Sequence, residues 1–348
     1  MPELPEVETV ARDLERMVRG KRIVSARVLR ERNISTPDAP TFASAILDRA
    51  ILGVRRRAKW IIVDLEGDVA LLVHLRMTGQ LLLLPASASL DPYVRVTLAL
   101  DDGRDLRFRD VRAFGRLALV ACGDDGIPAS SLDPSDPPYL ADHGPEPLEP
   151  SFTVDVLWAI LSQRAGRLKG TLLDQRCIAG LGNIYVDESL WRARLHPLAS
   201  GAALRRDEAA RLHRAIVEVL GEAVEARGSS IDDYTGPDGD GSMQERLAVY
   251  QRQGEPCLAC GATIRRLIVG GRATHICGMC QPLPRGTRRA KGELPRGALA
   301  SDGGGSRRGG RWSQRLQPST LGATVAERAA ARRRAARHGG TETDAVGR

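Results

Sequence analysis

Cys257, Cys260, Cys277 and Cys280 stand in C-x2-C-x16-C-x2-C spacing within the stretch CLACGATIRRLIVGGRATHICGMC. Two C-x-x-C knuckles can aim four soft sulfur donors at one point, which suits a single tetrahedral Zn2+. Such a site keeps no open position for a substrate, so the metal is expected to be structural. Coincidence or a redox pair is the bland alternative, and the doubled spacing favours zinc. Between the knuckles, IRRLIV and ATHIC flank GGR, which reads as a β-hairpin with glycine at its turn.

The other end of the chain raises a different chemistry. MPELPEVETV places Pro2 after the initiator methionine and glutamates at 3, 6 and 8. Pro5 and acidic residues near a helix N-terminus suit the first turn and the macrodipole. Val7, Val10, Ala11, Leu14 and Val18 recur at helical spacing, which predicts a helix from about Pro5 to Met17, stopped by Gly20. That reading leaves Pro2 and Glu3 unexplained.

Three further stretches have both a bland and a sharp reading. In QRCIAGLGNIYVDESLW, Asn183 is placed to cap a helix, and Gly180 and Gly182 would let backbone N–H groups approach an anion. A purely structural helix–turn–helix corner fits equally well. RRRAKWIIVDL sets cations at 55, 56, 57 and 59 where a strand begins, which is usually a solvated strand end. In VHLRMTG and FRDVRAFGR, Met77 and Phe114 lie by loop signals beside Arg76 and Arg112. They are either core residues at turns or a wedge able to enter a base stack. His74 taken alone reads as a structural histidine.

The elements around these residues follow from composition and pattern. The 348 residues allow two domains of ordinary size, and 42% hydrophobic content is ordinary for a globular protein. No apolar run reaches membrane-spanning length and the N-terminus is too acidic for a signal peptide, so a cytoplasmic location is the default. Cys122 and Cys177 lie in apolar stretches and read as buried thiols. The net charge of +8 is unevenly placed. Residues 285–348 hold 15 Lys+Arg and 5 Asp+Glu, so the preceding 284 residues carry a net of −2.

Residues 22–121 read as short β-rich segments divided by Gly, Asp or Pro, which points to a β-sandwich or barrel. Residues 122–150, crowded with Pro, Asp, Ser and Gly, read as a connection. From Phe152 to about Arg227 the pattern is helical, and a Gly/Asp-rich loop then leads to the cysteine module. Beyond Pro284 the Gly-, Arg- and Ser-rich composition predicts disorder.

Together, PELPEVET, the Lys59 strand, HLRMTG, RAFG, LLDQRCIAGLGNIYVDESLW and the hairpin ending CQP resemble, in order over residues 1 to 284, the formamidopyrimidine-DNA glycosylase family of bacterial repair enzymes. The resemblance implies an α+β multidomain chain: an N-terminal β-sandwich with a leading helix (1–122) and a linker (123–150). A helix–two-turns–helix DNA-binding domain with a lesion-covering loop (151–245) and a zinc-finger hairpin (246–284) follow, then a disordered basic tail (285–348). Damaged duplex DNA is the implied partner, in a cleft between domains, with no organic cofactor and the protein a monomer.

The resemblance also explains the first residues. Removal of Met1, favoured by the small second residue, would make Pro2 a chain-terminal secondary amine. An α-amine titrates at roughly pH 8, so a useful fraction is nucleophilic. The family pattern makes Pro2 the nucleophile on sugar C1′ and Glu3 the general acid/base. Glu6 arranges the site and Lys59 contacts phosphate and assists catalysis. Asn183 and Arg272 grip phosphates around the flipped nucleotide, and His74 and Lys169 join the DNA-binding set. Met77, Arg112 and Phe114 fill the gap left by the everted base.

Departures bear on the substrate. Val111-Arg112-Ala113-Phe114-Gly115 stands where Pro-Arg-Arg-Phe-Gly is common, His275-Ile276 where aromatics are frequent, and Ser242-Met243-Gln244 where a Gly-aromatic pair is usual. Leu4 and ELPEVE favour the formamidopyrimidine branch and hence oxidised purines. An endonuclease VIII-like enzyme for oxidised pyrimidines and a non-catalytic zinc-ribbon lesion binder are the alternatives. The tail is either a solubilising extension or an electrostatic tether to undamaged DNA, where each neutralised phosphate would contribute about −0.9 to the salt slope.

Overall fold

The computed structural model describes residues 1–123, 126–229, 241–284 and 287. The tail and most of the loop expected over the lesion lie outside the described residues. No helix among those described is long and apolar enough to cross a membrane.

Helix α1 (Leu4–Val18) forms where the apolar spacing predicts it, with Val7, Val10, Leu14 and Val18 buried along one stripe. It starts one residue before Pro5, because Glu6 accepts the N–H of Glu3 at 2.8 Å and satisfies that otherwise orphaned donor. The chain leaves it through Gly20, whose φ of +78° glycine adopts without penalty.

The β region comprises β1 (Ile23–Val28), β2 (Ile34–Thr36), a short helix α2 (Ala39–Ala45), β3 (Ile51–Arg57), β4 (Trp60–Leu65), β5 (Val69–His74), β6 (Gly79–Pro85), β7 (Val94–Leu100), β8 (Arg104–Asp110) and β9 (Arg116–Ala121). They form a four-stranded sheet, β1-β7-β8-β6, and a five-stranded sheet, β2-β9-β5-β4-β3. Neighbours are antiparallel except β2 beside β9. Val63, Leu71 and Val73 of one sheet share a core with Val96, Leu98 and Phe108 of the other and with the α1 stripe. This is a sandwich, which resolves the choice between sandwich and barrel.

Strands β4 and β5 are buried almost throughout instead of alternating. Their second face, with Trp60, Ile62, Ala70 and Leu72, is covered by Tyr139 and Leu140 from the stretch read as a connection. Tyr139 meets the Trp60 ring edge-on, with centroids 5.3 Å apart. Each large side chain buried this way contributes about 1.5–3 kcal/mol, so the segment is part of the packing as well as a link.

Helices α3 (Val154–Ser162), α4 (Leu168–Leu173), α5 (Asn183–Arg192) and α6 (Arg206–Glu225) pack around Leu157, Leu172, Tyr185 and Ile216, and Leu4 of α1 joins their core. Strands β10 (Ile264–Val269) and β11 (Arg272–Cys277) pair as the predicted hairpin. Gly270 and Gly271 turn it with φ of +56° and +75°, the left-handed pair that a two-residue turn requires. Cys177 is buried as expected, whereas Cys122 is only half-buried.

Buried carboxylates hold these parts to one another. Asp13, fully buried on α1, takes a bidentate ion pair from Arg227 just beyond α6, at 2.7 and 3.1 Å. Glu188 on α5 accepts three successive N–H groups, from Ala248, Val249 and Tyr250, at 2.8–2.9 Å. A carboxylate out of water is tolerated only when so satisfied.

Candidate active site

Glu3 is the centre of the site. Its backbone precedes α1, but its side chain crosses to α5, where Oε1 accepts the N–H of Ile184 at 2.9 Å and Oε2 that of Tyr185 at 3.3 Å. A carboxylate from another segment therefore takes the helix N-terminus that sequence reading left to Asn183. The residue that caps α5 by position is Gly182, and Asn183 is already helical. Gly182 is required, because a Cβ there would collide with the Glu3 carboxyl. Leu4 N–H donates to Gly180 O at 3.0 Å and fixes the approach of the two segments. The anion at the GLGN turn is thus the protein's own glutamate.

Burial pushes the Glu3 carboxyl up to about 7 and neighbouring Glu6 adds to that, while Lys59 and the two helix N–H groups pull the other way. Such a group can both give and take a proton near neutral pH. Glu6 is buried beside it and accepts the N–H of Ser229 at 2.8 Å and the hydroxyl proton of Tyr185. Burial, then the charge of Glu6, raises Tyr185 well above 10, so it remains a phenol donor. Pro2, which precedes Glu3 in the chain, is buried.

Lys59 reaches the same space from a two-residue turn between β3 and β4. Its Nζ donates to Leu181 O at 2.7 Å. Burial draws the ammonium below its ordinary value, Glu3 counteracts this and Arg272 adds to it. Of the cation run before it, Arg55 is exposed, but Arg56 and Arg57 are not left to solvent. Arg55 pairs with Asp64, Arg56 with Glu8 and Glu146, and Arg57 with Glu146. Glu146 also accepts the N–H of Ala58, which sits at φ +53°. Burial opposes ionisation of Glu146, yet Arg56, the Ala58 N–H and Arg57 together hold it below the ordinary glutamate value. Sequence reading missed Glu146, since nothing in GPEPLEP marks it as the clamp on a turn about ninety positions away.

Met77 and Phe114 are 39% and 48% exposed on loops, not packed in the core. Arg112 is exposed beside them. Ala113 is buried between the two at φ +53°, so its neighbours project outward. His74, at the end of β5, is buried against Trp60, and its Nδ1 accepts the Arg76 N–H at 3.0 Å. Burial, with Arg76 and Lys59 adding, lowers it to about 3, leaving a neutral ring with Nε2–H as donor.

The hairpin brings the remaining residues. Asn183 Nδ2 donates to Ala273 O at 3.0 Å, while its Oδ1 is buried with no partner among the described residues. Arg272 is exposed at the start of β11, close enough for its charge to act on Lys59 and Lys169. Lys169, expected among the DNA contacts, is 0% exposed and ion-paired to Asp187 at 2.6 Å, with a second bond to Ala273 O. It lines a cleft with Arg167 and Arg272, but its ammonium ties α4 and α5 to the hairpin. Asp187 also accepts the N–H of His275 at 2.8 Å, so one carboxylate holds both Lys169 and β11.

The four cysteine sulfurs lie within 4.8 Å of one another. The N–H of Cys280 and the indole N–H of Trp191 point at the sulfurs of Cys277 and Cys257, at 3.5 and 3.4 Å. Such donors stabilise thiolate charge, so Cys257, Cys260, Cys277 and Cys280 fit one structural Zn2+.

Models of three families match the chain: the formamidopyrimidine-DNA glycosylase N-terminal domain over 1–117, its H2TH domain over 143–235, and the zinc finger found in FPG and IleRS over 254–283. The formamidopyrimidine-DNA glycosylase of Herpetosiphon aurantiacus is 45% identical over 283 residues, 81% of this chain and 100% of that one. That of Chloroflexus aurantiacus is 44% identical, over 81% and 98%. Among solved structures, Lactococcus lactis Fpg with DNA containing an abasic site superposes with a TM-score of 0.74 at 35% identity, over 81% and 100% of the chains. The FPG protein of Thermus thermophilus gives 0.71 at 42%, over 80% and 98%. With likeness of this order running through all three parts of whole relatives, the chain belongs to the formamidopyrimidine-DNA glycosylase family.

Proposed function

We propose that this chain removes oxidised purines, 8-oxoguanine and formamidopyrimidines, from duplex DNA and then cleaves the strand at the bared sugar. The observation that carries this is Glu3: a buried carboxyl that titrates near neutrality, held by a helix N-terminus beside Pro2 and Lys59. With Met1 removed, the Pro2 nitrogen lone pair bonds to C1′ while the C1′–base bond breaks; the base leaves with that electron pair and takes up the proton that the amine nitrogen sheds. Glu3 gives its proton to the ring oxygen as the sugar opens, which leaves an iminium. That cation acidifies the C2′ proton. Glu3, now a carboxylate, accepts protons as β- and then δ-elimination expel the 3′ and 5′ phosphates.

The surroundings support the remaining roles. Lys59, Asn183, Arg272 and the neutral His74 face a phosphate backbone as donors, and Met77, Arg112 and Phe114 fill the space vacated by the base. Lys169 acts by seating the hairpin that carries Arg272. Titratable Glu3 argues against a purely lesion-binding role.

Lesion choice is tested on duplexes containing 8-oxoguanine or thymine glycol under single turnover. Excision of 8-oxoguanine is expected to be faster by about tenfold or more, the lower end of what even a one-methylene difference in a pocket supplies. A reversed order identifies an endonuclease VIII-like enzyme, and binding without cleavage identifies a lesion sensor.

Chelation of zinc, or Cys277→Ser, is expected to abolish binding to lesion duplex while the β-sandwich stays folded. Zinc binding stabilises only its own module, whose buried residues form a small separate cluster with Val249 and Ile264. DNA binding by gel shift and near-UV circular dichroism check this together. Metal-free protein that binds normally would refute it.

A further inference from the structure

We infer that Asp110 is the positioning residue that locks the two loops bearing Met77, Arg112 and Phe114 into one rigid wedge. This rests on the wedge reading above and adds the device that makes the wedge stiff. Asp110 ends β8 and is fully buried, and its two oxygens are taken by donors from the two loops, with no cation among the described residues paired to it. Oδ1 accepts the hydroxyl proton of Thr78, one residue from Met77. Oδ2 accepts the N–H of Gly115, one residue from Phe114, at 2.7 Å. Thr78 Oγ1 in turn accepts the N–H of Arg112 at 3.1 Å, so a single hydroxyl bridges both loops.

The base of the wedge is pinned from the other side as well. Asn33, fully buried on the connection into β2, donates to Gly115 O at 2.8 Å. A Cβ on Gly115 would collide with the Phe108 ring, so the backbone here is packed directly against β8 with no space for a side chain. Three projecting side chains, two of them flanking the left-handed Ala113, therefore stand on a fixed floor. Driving apolar groups between stacked bases requires that floor, because a loop that yields lets the bases restack instead.

The test uses Asp110→Asn, which keeps the shape but turns one acceptor into a donor, and Thr78→Val, which removes the bridging hydroxyl. Excision of 8-oxoguanine is measured in a fully paired duplex and in one with an abasic site opposite the lesion, where stacking is already broken. 2-Aminopurine beside the lesion reports insertion by stopped-flow fluorescence. Both variants are expected to slow insertion and excision on paired DNA by about tenfold or more, and to stay within about threefold of the parent on pre-opened DNA. A general structural defect would lower both substrates alike, and that outcome, or unchanged paired-duplex rates, overturns the inference. Should Asp110→Asn not fold, Thr78→Val carries the test by itself. Phe114→Ala separates the two levels: no selective loss in that variant sinks the wedge reading, whereas loss there without loss in the Asp110 and Thr78 variants sinks only the lock.

Discussion

A chain that retains Met1, behind an N-terminal tag, is expected to give no borohydride-trapped adduct with 8-oxoguanine duplex, while the processed chain is trapped. The reason is elementary. An amide nitrogen has its lone pair in resonance with a carbonyl, whereas a terminal proline nitrogen is a secondary amine that titrates at roughly pH 8. Pro2→Gly keeps a terminal amine but loses the ring that sets its direction. Trapping should then fall about a hundredfold, the usual cost of misplacing a reacting group. The rival nucleophile is Lys59, whose ammonium is buried and drawn below its ordinary value. If the tagged chain is trapped as well as the processed one, the covalent role passes from Pro2 to Lys59. Mass spectrometry of the adduct reads the answer directly.

The second large effect concerns Glu3. Excision needs Glu3 protonated and the Pro2 amine free. With Glu3 raised to about 7 and an α-amine near 8, the single-turnover rate should follow a bell, rising through the lower value and falling above the upper. Both limbs belong to the pair, because the proton needed sits on the group of lower affinity. Glu3→Gln removes the acid, so the rate should fall by about 10²–10⁴ and lose its alkaline limb, leaving only the rise that frees the amine. Borohydride trapping on a pre-formed abasic site, where no base must leave, should suffer less. An alkaline limb that survives in Glu3→Gln would show that another group supplies the proton. The substitution also leaves an amide facing the N–H groups of Ile184 and Tyr185, so a thermal melt is measured alongside to separate lost chemistry from a loosened α5.

Several parts of this protein were legible from residue order because their causes are local. The stripe of Val7, Val10 and Leu14 makes α1, and paired glycines at 270 and 271 make the hairpin turn. The cysteine spacing brings four sulfurs together by itself. Met77 and Phe114 were marked by being large and apolar beside loop signals, and they are exposed. What the tertiary structure alone decided lies in contacts that span the chain. Asn183 looked like a helix cap, but Glu3, 181 positions earlier in its bond to Ile184 N–H, supplies the carboxylate that satisfies α5. The run Arg55–Arg57 looked solvated, but Asp64, Glu8 and Glu146 pair with it. β4 and β5 carry continuous apolar residues because a loop, distant in sequence, covers their second face. Propensity and spacing report on neighbours within a few residues. A buried charge must find its partners wherever the fold puts them, and in this protein Glu3, Glu146, Asp110 and Asp187 find theirs on other segments.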